Sequence, residues 1–142
     1  MKILITLIFS SLLLIASSAN AHQVKVLEKI FSEISIDEKL CIWSDDQNIL
    51  NKFKQNNRFE TVENIKNANI IVLKNKNSAD KVSKNQLVFV LDYKLLHKIP
   101  KSFGALFWKK GRPNIVIIEP RATAQNIDIS KSLAPYLEER VW

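Results

Sequence analysis

The sequence predicts one three-layer α/β domain. Its sheet is mixed but mainly parallel, of about five strands, closed by a C-terminal antiparallel hairpin and covered by helices on both faces. Three observations carry this. Leu40-Cys41-Ile42-Trp43, Ile70-Ile71-Val72-Leu73 and Leu87-Val88-Phe89-Val90-Leu91 are short apolar runs, the second rich in β-branched residues, as buried parallel strands are. Segments with helical spacing or polar character separate them, which is the order that places helices over a parallel sheet. Two longer apolar runs, GALFW and NIVIIEP, then flank the short basic turn KKGRP, a hairpin signal.

The first residues predict export. Lys2 is followed by the apolar run Ile3 to Ala16 and then by Ala19-Asn20-Ala21, an A-x-A cleavage site. The run is shorter than the roughly 20 residues of a spanning helix. We therefore expect residues 1–21 to be a cleaved signal peptide and residues 22–142 to be a periplasmic domain of 121 residues beginning at His22. No cysteine closely follows the apolar run, which argues against a lipoprotein. A chain of this size closes a single core without covalent staples. Cys41 is its lone cysteine, so no internal disulfide forms, and its place in an apolar run predicts a buried, inert thiol. Net charge is +7. Such a balance suits nucleic acid, but export argues against that partner. The lysines are scattered without interleaved aromatics, as on a solvated surface; an anionic membrane or an acidic partner is the sharper reading.

In chain order, Val24, Leu27, Phe31 and Ile34 share one helical face, with Lys25, Glu28, Lys29 and Glu33 opposite, which predicts a first helix over Val24 to Ile34. Strand Leu40 to Trp43 closes at Ser44-Asp45-Asp46, where an aspartate caps a helix carrying Ile49, Leu50 and Phe53 as far as Gln55. Asn56-Asn57 ends it and Arg58 to Val62 is a weak strand. Lys74 to Lys84 is a surface loop with a helical turn. Asp92 to His97 is a loop or turn stopped by Pro100. After the hairpin, the segment from Arg121 to Val141 has helical spacing and is expected to end the chain as a helix.

This order behind a signal peptide resembles the YfiR-like family of small periplasmic regulators. Leu40 to Asp46 is similar to the family's first strand and acidic turn, and Ala68 to Leu73 to its second. Leu87 to Asp92 looks like the strand that ends in a polar turn. Gly104 to Ile118 resembles its Gly-led hairpin, and Ile127 to Leu133 the start of its last helix. The chain departs from the family in three places. Ser35-Ile36-Asp37 stands where an aromatic-Pro step is usual, Ile115 to Ile118 lacks the family's strand-ending Asn, and the paired cysteines of some members are missing. The resemblance implies a non-enzymatic protein that binds the periplasmic part of a membrane-bound signalling protein, a diguanylate cyclase or sensor kinase, and holds its output low. It also implies a homodimer.

The residues themselves point to binding rather than catalysis. No nucleophile motif, H-E-x-x-H or C-x-x-C occurs, and neither His22 nor His97 sits in a motif. We expect no catalytic residues, no cofactor and no metal. Asp45-Asp46 reads as a helix cap. Candidate partner-binding residues are Trp108, Lys109, Lys110 and Arg112 at the hairpin tip, Arg121 near the start of the last helix, and Trp142. The competing view of Trp108 places it in the core. Arg121 is expected to pair with an acid, because a cation is unfavourable at a helix N-terminus. A single lobe of a solute receptor is the alternative, with Ser44, Asp45, Asp92 and Tyr93 at the strand ends lining its site. No residue set supports the third class, a secreted hydrolase.

Overall fold

The computed structural model describes residues 22–36, 38–55 and 59–142. The expected leader, residues 1–21, and the expected break at Asn56-Asn57 lie outside the described residues. The chain is one α/β domain. A helix, α1, covers residues 22–32. It is followed by β1 (Ile34–Ser35), β2 (Cys41–Ser44), α2 (Gln47–Gln55), β3 (Glu60–Thr61), β4 (Ile70–Leu73), β5 (Leu87–Val90) and α3 (Tyr93–Lys98). Then come β6 (Ser102–Lys109), β7 (Arg112–Ile118), α4 (Glu119–Ala124), β8 (Asp128–Ile129) and β9 (Leu137–Glu138). Short 3-10 turns occupy Ile65–Asn67, Ala79–Lys81 and Lys131–Tyr136.

The main sheet has seven strands in the order β3-β2-β4-β5-β6-β7-β9. Strands β3 to β6 are mutually parallel, β6 and β7 form the antiparallel hairpin, and β9 runs parallel to β7. The expected five strands are the interior of this sheet. The two additional ones are edge strands of two residues each: β3 lies within the weak strand expected from Arg58 to Val62, and β9 falls inside the expected terminal helix. β4 and β5 are buried at every residue, because both faces are covered. Leu27, Ile30 and Phe31 of α1 and Ile49 and Phe53 of α2 pack with Ile42, Ile70, Val72 and Phe89 on one face. On the other, Leu95 and Leu96 of α3 and Ile65 pack with Ile71, Leu73, Val88 and Val90.

One irregularity shapes the hairpin. Ser102 pairs with Val88 but Gly104 pairs with Phe89, so Phe103 is an extra residue, a bulge. The bulge turns Phe103 into the aromatic cluster, 5.5 Å from the Phe89 ring. Gly104 then lies so close to its neighbours that a Cβ would sit 2.8 Å from both the Phe89 ring and the Val116 carbonyl oxygen.

The expected terminal helix is wrong. α4 stops after Ala124, and Asn126 takes a left-handed φ of 57°. The Asn126 and Ile127 N–H groups donate to the Thr123 and Ala122 carbonyls, the bonding pattern that ends a helix around an αL residue. Asp128–Ile129 instead pairs antiparallel with β1, and Pro135 keeps the following turn 3-10. The segment from Ile127 to Leu133, which resembles the start of a family helix, is thus a short strand and a 3-10 turn. α1 also ends two residues earlier than expected, because Ile34 joins that two-stranded sheet. Asp92 to His97 resolves as α3, capped by Asp92 through its Oδ1 to the Lys94 N–H at 3.0 Å.

Candidate binding surface

The hairpin tip is built by a two-residue turn. Lys110 and Gly111 have φ of 52° and 75°, the doubly positive geometry that matches strand twist. Lys109 and Arg112 face each other as the last cross-strand pair, and Trp108 pairs with Pro113. Like charges directly opposite each other destabilise a hairpin, and no ion pair to either cation offsets this among the described residues. Trp108 is 45% exposed. The expectation of a core Trp108 is therefore corrected: strand alternation sends Phe107 into the core beside Tyr93, 5.3 Å between rings, and turns Trp108 out on the α1 side. There its ring lies 5.9 Å from His22.

Beside Trp108 runs a groove of about 550 Å³ between α1, the start of β7 and the 3-10 turn Lys131–Tyr136. Its floor is Val26, Ile30, Ile115 and Leu133, and its rim carries His22, Lys25, Lys29 and Tyr136. Among the described residues no carboxylate lines it. The sequence missed this groove. Lys25 and Lys29 are spaced as neighbours on a helix surface, which reads equally well as an ordinary solvated face, and Tyr136 was placed on a helix that does not form.

The remaining candidates lie elsewhere. Trp142 is 68% exposed and sits on the opposite side of the sheet, where its N–H donates to the Tyr93 Oη at 2.9 Å and its main-chain oxygen lies 2.9 Å from His97 Nε2. The Arg140 guanidinium stacks over its ring at 4.0 Å. Arg121 has no acid partner among the described residues, and that expectation is corrected too. Its Nη1 donates to the Leu96 and Ser102 carbonyls at 2.9 and 3.0 Å, tying the C-terminal end of α3 to the start of β6. A cation is favourable at a helix C-terminus, which answers the problem its own helix poses. Burial pulls its pKa down from the usual arginine value.

The carboxyl ends of β2, β4 and β5 hold the groups that a solute site would use, and each is engaged in the fold. Asp45 accepts from the Lys74 and Asn75 N–H groups at 2.8 and 3.2 Å, and burial raises its pKa despite those bonds. Ser44 Oγ accepts from the Asp46 N–H, Asp46 caps α2 through Asn48 and Ile49, Asp92 caps α3, and Tyr93 receives Trp142. Cys41 is half-buried beside Glu60, with burial first and that carboxylate second raising its pKa. Among the described residues no group of three or more His, Cys, Asp or Glu side chains converges on a point. Comparison with family models, curated proteins and solved structures finds no match.

Proposed function

We propose that this chain is a non-enzymatic periplasmic regulatory protein that binds the sensory part of an inner-membrane signalling protein, a diguanylate cyclase or a sensor kinase. The observation that carries the reading is the groove beside Trp108: an apolar floor, cations along one wall, and exposed Trp108 and Tyr136 at its margins. Protein contacts concentrate their energy in such aromatic and cationic anchors around a desolvated centre. The resemblance to the YfiR-like family and the export signal in the sequence support the same role. In that role the groove would seat an acidic, partly apolar segment of the sensor.

The test expresses the chain with the membrane cyclase or kinase encoded nearby and measures the sensor's output with and without it. Repression in its presence, weakened at least tenfold in binding by Ile115→Asp or Tyr136→Ala, is the expected result. Output that never responds to deletion of the chain, in any condition, sinks the reading. The groove's volume lies within the 300–1,000 Å³ of small-molecule sites, so a single-lobe solute-binding protein stands as the second reading. A thermal-shift screen with organic anions separates the two, since ligand binding raises the melting temperature with concentration.

A further inference from the structure

We infer that the hairpin tip is a docking element for an anionic bilayer surface, independent of which protein partner the groove takes. Trp108 leaves one side of the ribbon, Lys109 and Arg112 the other, and Lys110 caps the turn. Lys25 and Lys29 continue the positive surface on the α1 side. No carboxylate occurs from residue 93 to 118, and Glu28, the one acid of α1, is buried. An indole among lysines and arginines is the combination that settles at a lipid headgroup layer, the ring at the interface and the cations on anionic phosphates.

Chain connectivity favours lipid over an acidic protein for the chain as synthesised, before the expected cleavage after Ala21. The apolar run Ile3 to Ala16 ends six residues before His22. Extended chain spans at most about 20 Å over that distance, and the His22 ring is 5.9 Å from Trp108. While that run is membrane-bound, the tip is therefore held within reach of the bilayer. If the leader is removed after Ala21, the new α-amine at His22 adds one more positive charge to the same end. The tip also keeps two locally unfavourable choices, a Lys at φ 52° and a like-charge pair. Such choices mark places where local stability is not what is being optimised.

The test uses the full chain carrying Trp43→Phe and Trp142→Phe, which leaves Trp108 as its only indole. It is mixed with phosphatidylglycerol vesicles or with phosphatidylcholine vesicles. The apolar run is common to both arms, so the difference between them reads charge, and reversal of the tip cations assigns it to the tip. The expected result is a blue-shifted, iodide-protected Trp108 emission on phosphatidylglycerol alone, abolished by high salt. At about fivefold per cation near an anionic surface, losing three cations weakens the effect roughly a hundredfold, so Lys109→Glu, Lys110→Glu and Arg112→Glu together weaken it by at least that much. Equal emission on the two lipids, or a shift that survives the triple reversal, overturns the inference. Should the reversal variant unfold, the salt arm on the unreversed chain decides, and a shift that persists at high salt overturns it. Soluble polyglutamate that shifts Trp108 as far as phosphatidylglycerol does overturns it in favour of an acidic protein.

Discussion

Replacing Gly104 by Ala should be among the most damaging single-methyl changes in this protein. The added Cβ would lie 2.8 Å from a Phe89 ring carbon and 2.8 Å from the Val116 carbonyl oxygen. The ring cannot swing freely, because Phe31 meets it edge-on at 5.6 Å and Phe103 flanks it at 5.5 Å. The carbonyl belongs to β7, one strand over, and moving it disturbs the β6–β7 ladder at Gly104 and Ile117. Overpacking a well-filled core costs typically 1–3 kcal/mol and occasionally more. With backbone as one of the two obstacles, we expect about 3 kcal/mol, or roughly 10 °C in melting temperature for a domain this size. Gly111→Ala is the control: it meets nothing within 4 Å and suffers only its φ of 75°, a cost of about 1–2 kcal/mol. Urea unfolding of both variants checks the ranking, and Phe89→Leu in the Gly104→Ala background should return part of the loss. A Gly104→Ala cost no larger than that of Gly111→Ala would refute the close packing at the bulge.

Three further outcomes follow from the same geometry. Arg121→Met should cost about 2 kcal/mol in urea unfolding, since it strands the Leu96 and Ser102 carbonyls, whereas Arg121→Lys should recover only part of that, because its ammonium ends one atom short of the Nη1 that donates to both oxygens. Asn126→Gly should be near neutral and Asn126→Ala destabilising by about 1 kcal/mol, because the position needs a left-handed φ. Glu33 is held below the usual carboxylate range by hydrogen bonds from Ser132 and Ser130. Its contribution to stability is therefore present above the unfolded-state pKa and is lost as pH falls through the lower folded-state value. The melting-temperature gap between the unaltered chain and Glu33→Gln should accordingly shrink on acidification, and a gap that widens counts against the contact.

The interior of the sheet was legible because buried parallel strands leave a loud signal. Ile70 to Leu73 and Leu87 to Val90 are apolar at every position, and no other element of that length reads so. The C-terminal third misled for a definite reason. Ala122, Ile129, Leu133 and Leu137 all pack in or against one core cluster at intervals of seven, four and four residues, which a helical reading accepts, but Asn126 reverses the chain between the first two and Pro135 follows the third. Periodicity registers that residues are buried, not that one continuous element buries them. The hairpin tip was legible by its chemistry, and its turn by Gly111. The groove was not, since its walls come from residues 22–30, 113–115 and 132–136 and only tertiary packing brings them together.

The six residues singled out by chemistry do not form one patch, and their dispersal narrows where binding energy can come from. Trp142 is already occupied: a cation covers its ring face, its indole N–H lies 3.4 Å from the Glu138 carboxylate, and its main-chain groups hold Tyr93 and His97. Recruiting it to a partner would first break these contacts. Arg121 is committed to two carbonyls inside the domain. Among the described residues, Lys109, Lys110 and Arg112 form no ion pair and Trp108 makes a tilted ring contact with His22 at 5.9 Å, and together with the groove they adjoin the start of α1. An encounter with a membrane-bound partner is therefore least costly at this end. A lipid contact at the tip would also help orient the groove toward a protein anchored in the same bilayer, so that two individually weak contacts act at high effective concentration. On this argument Trp142→Ala should leave sensor binding within a factor of two of the unaltered chain, while Trp108→Ala should weaken it at least tenfold in membranes. The reverse ranking would move the binding surface to the α3 side of the sheet.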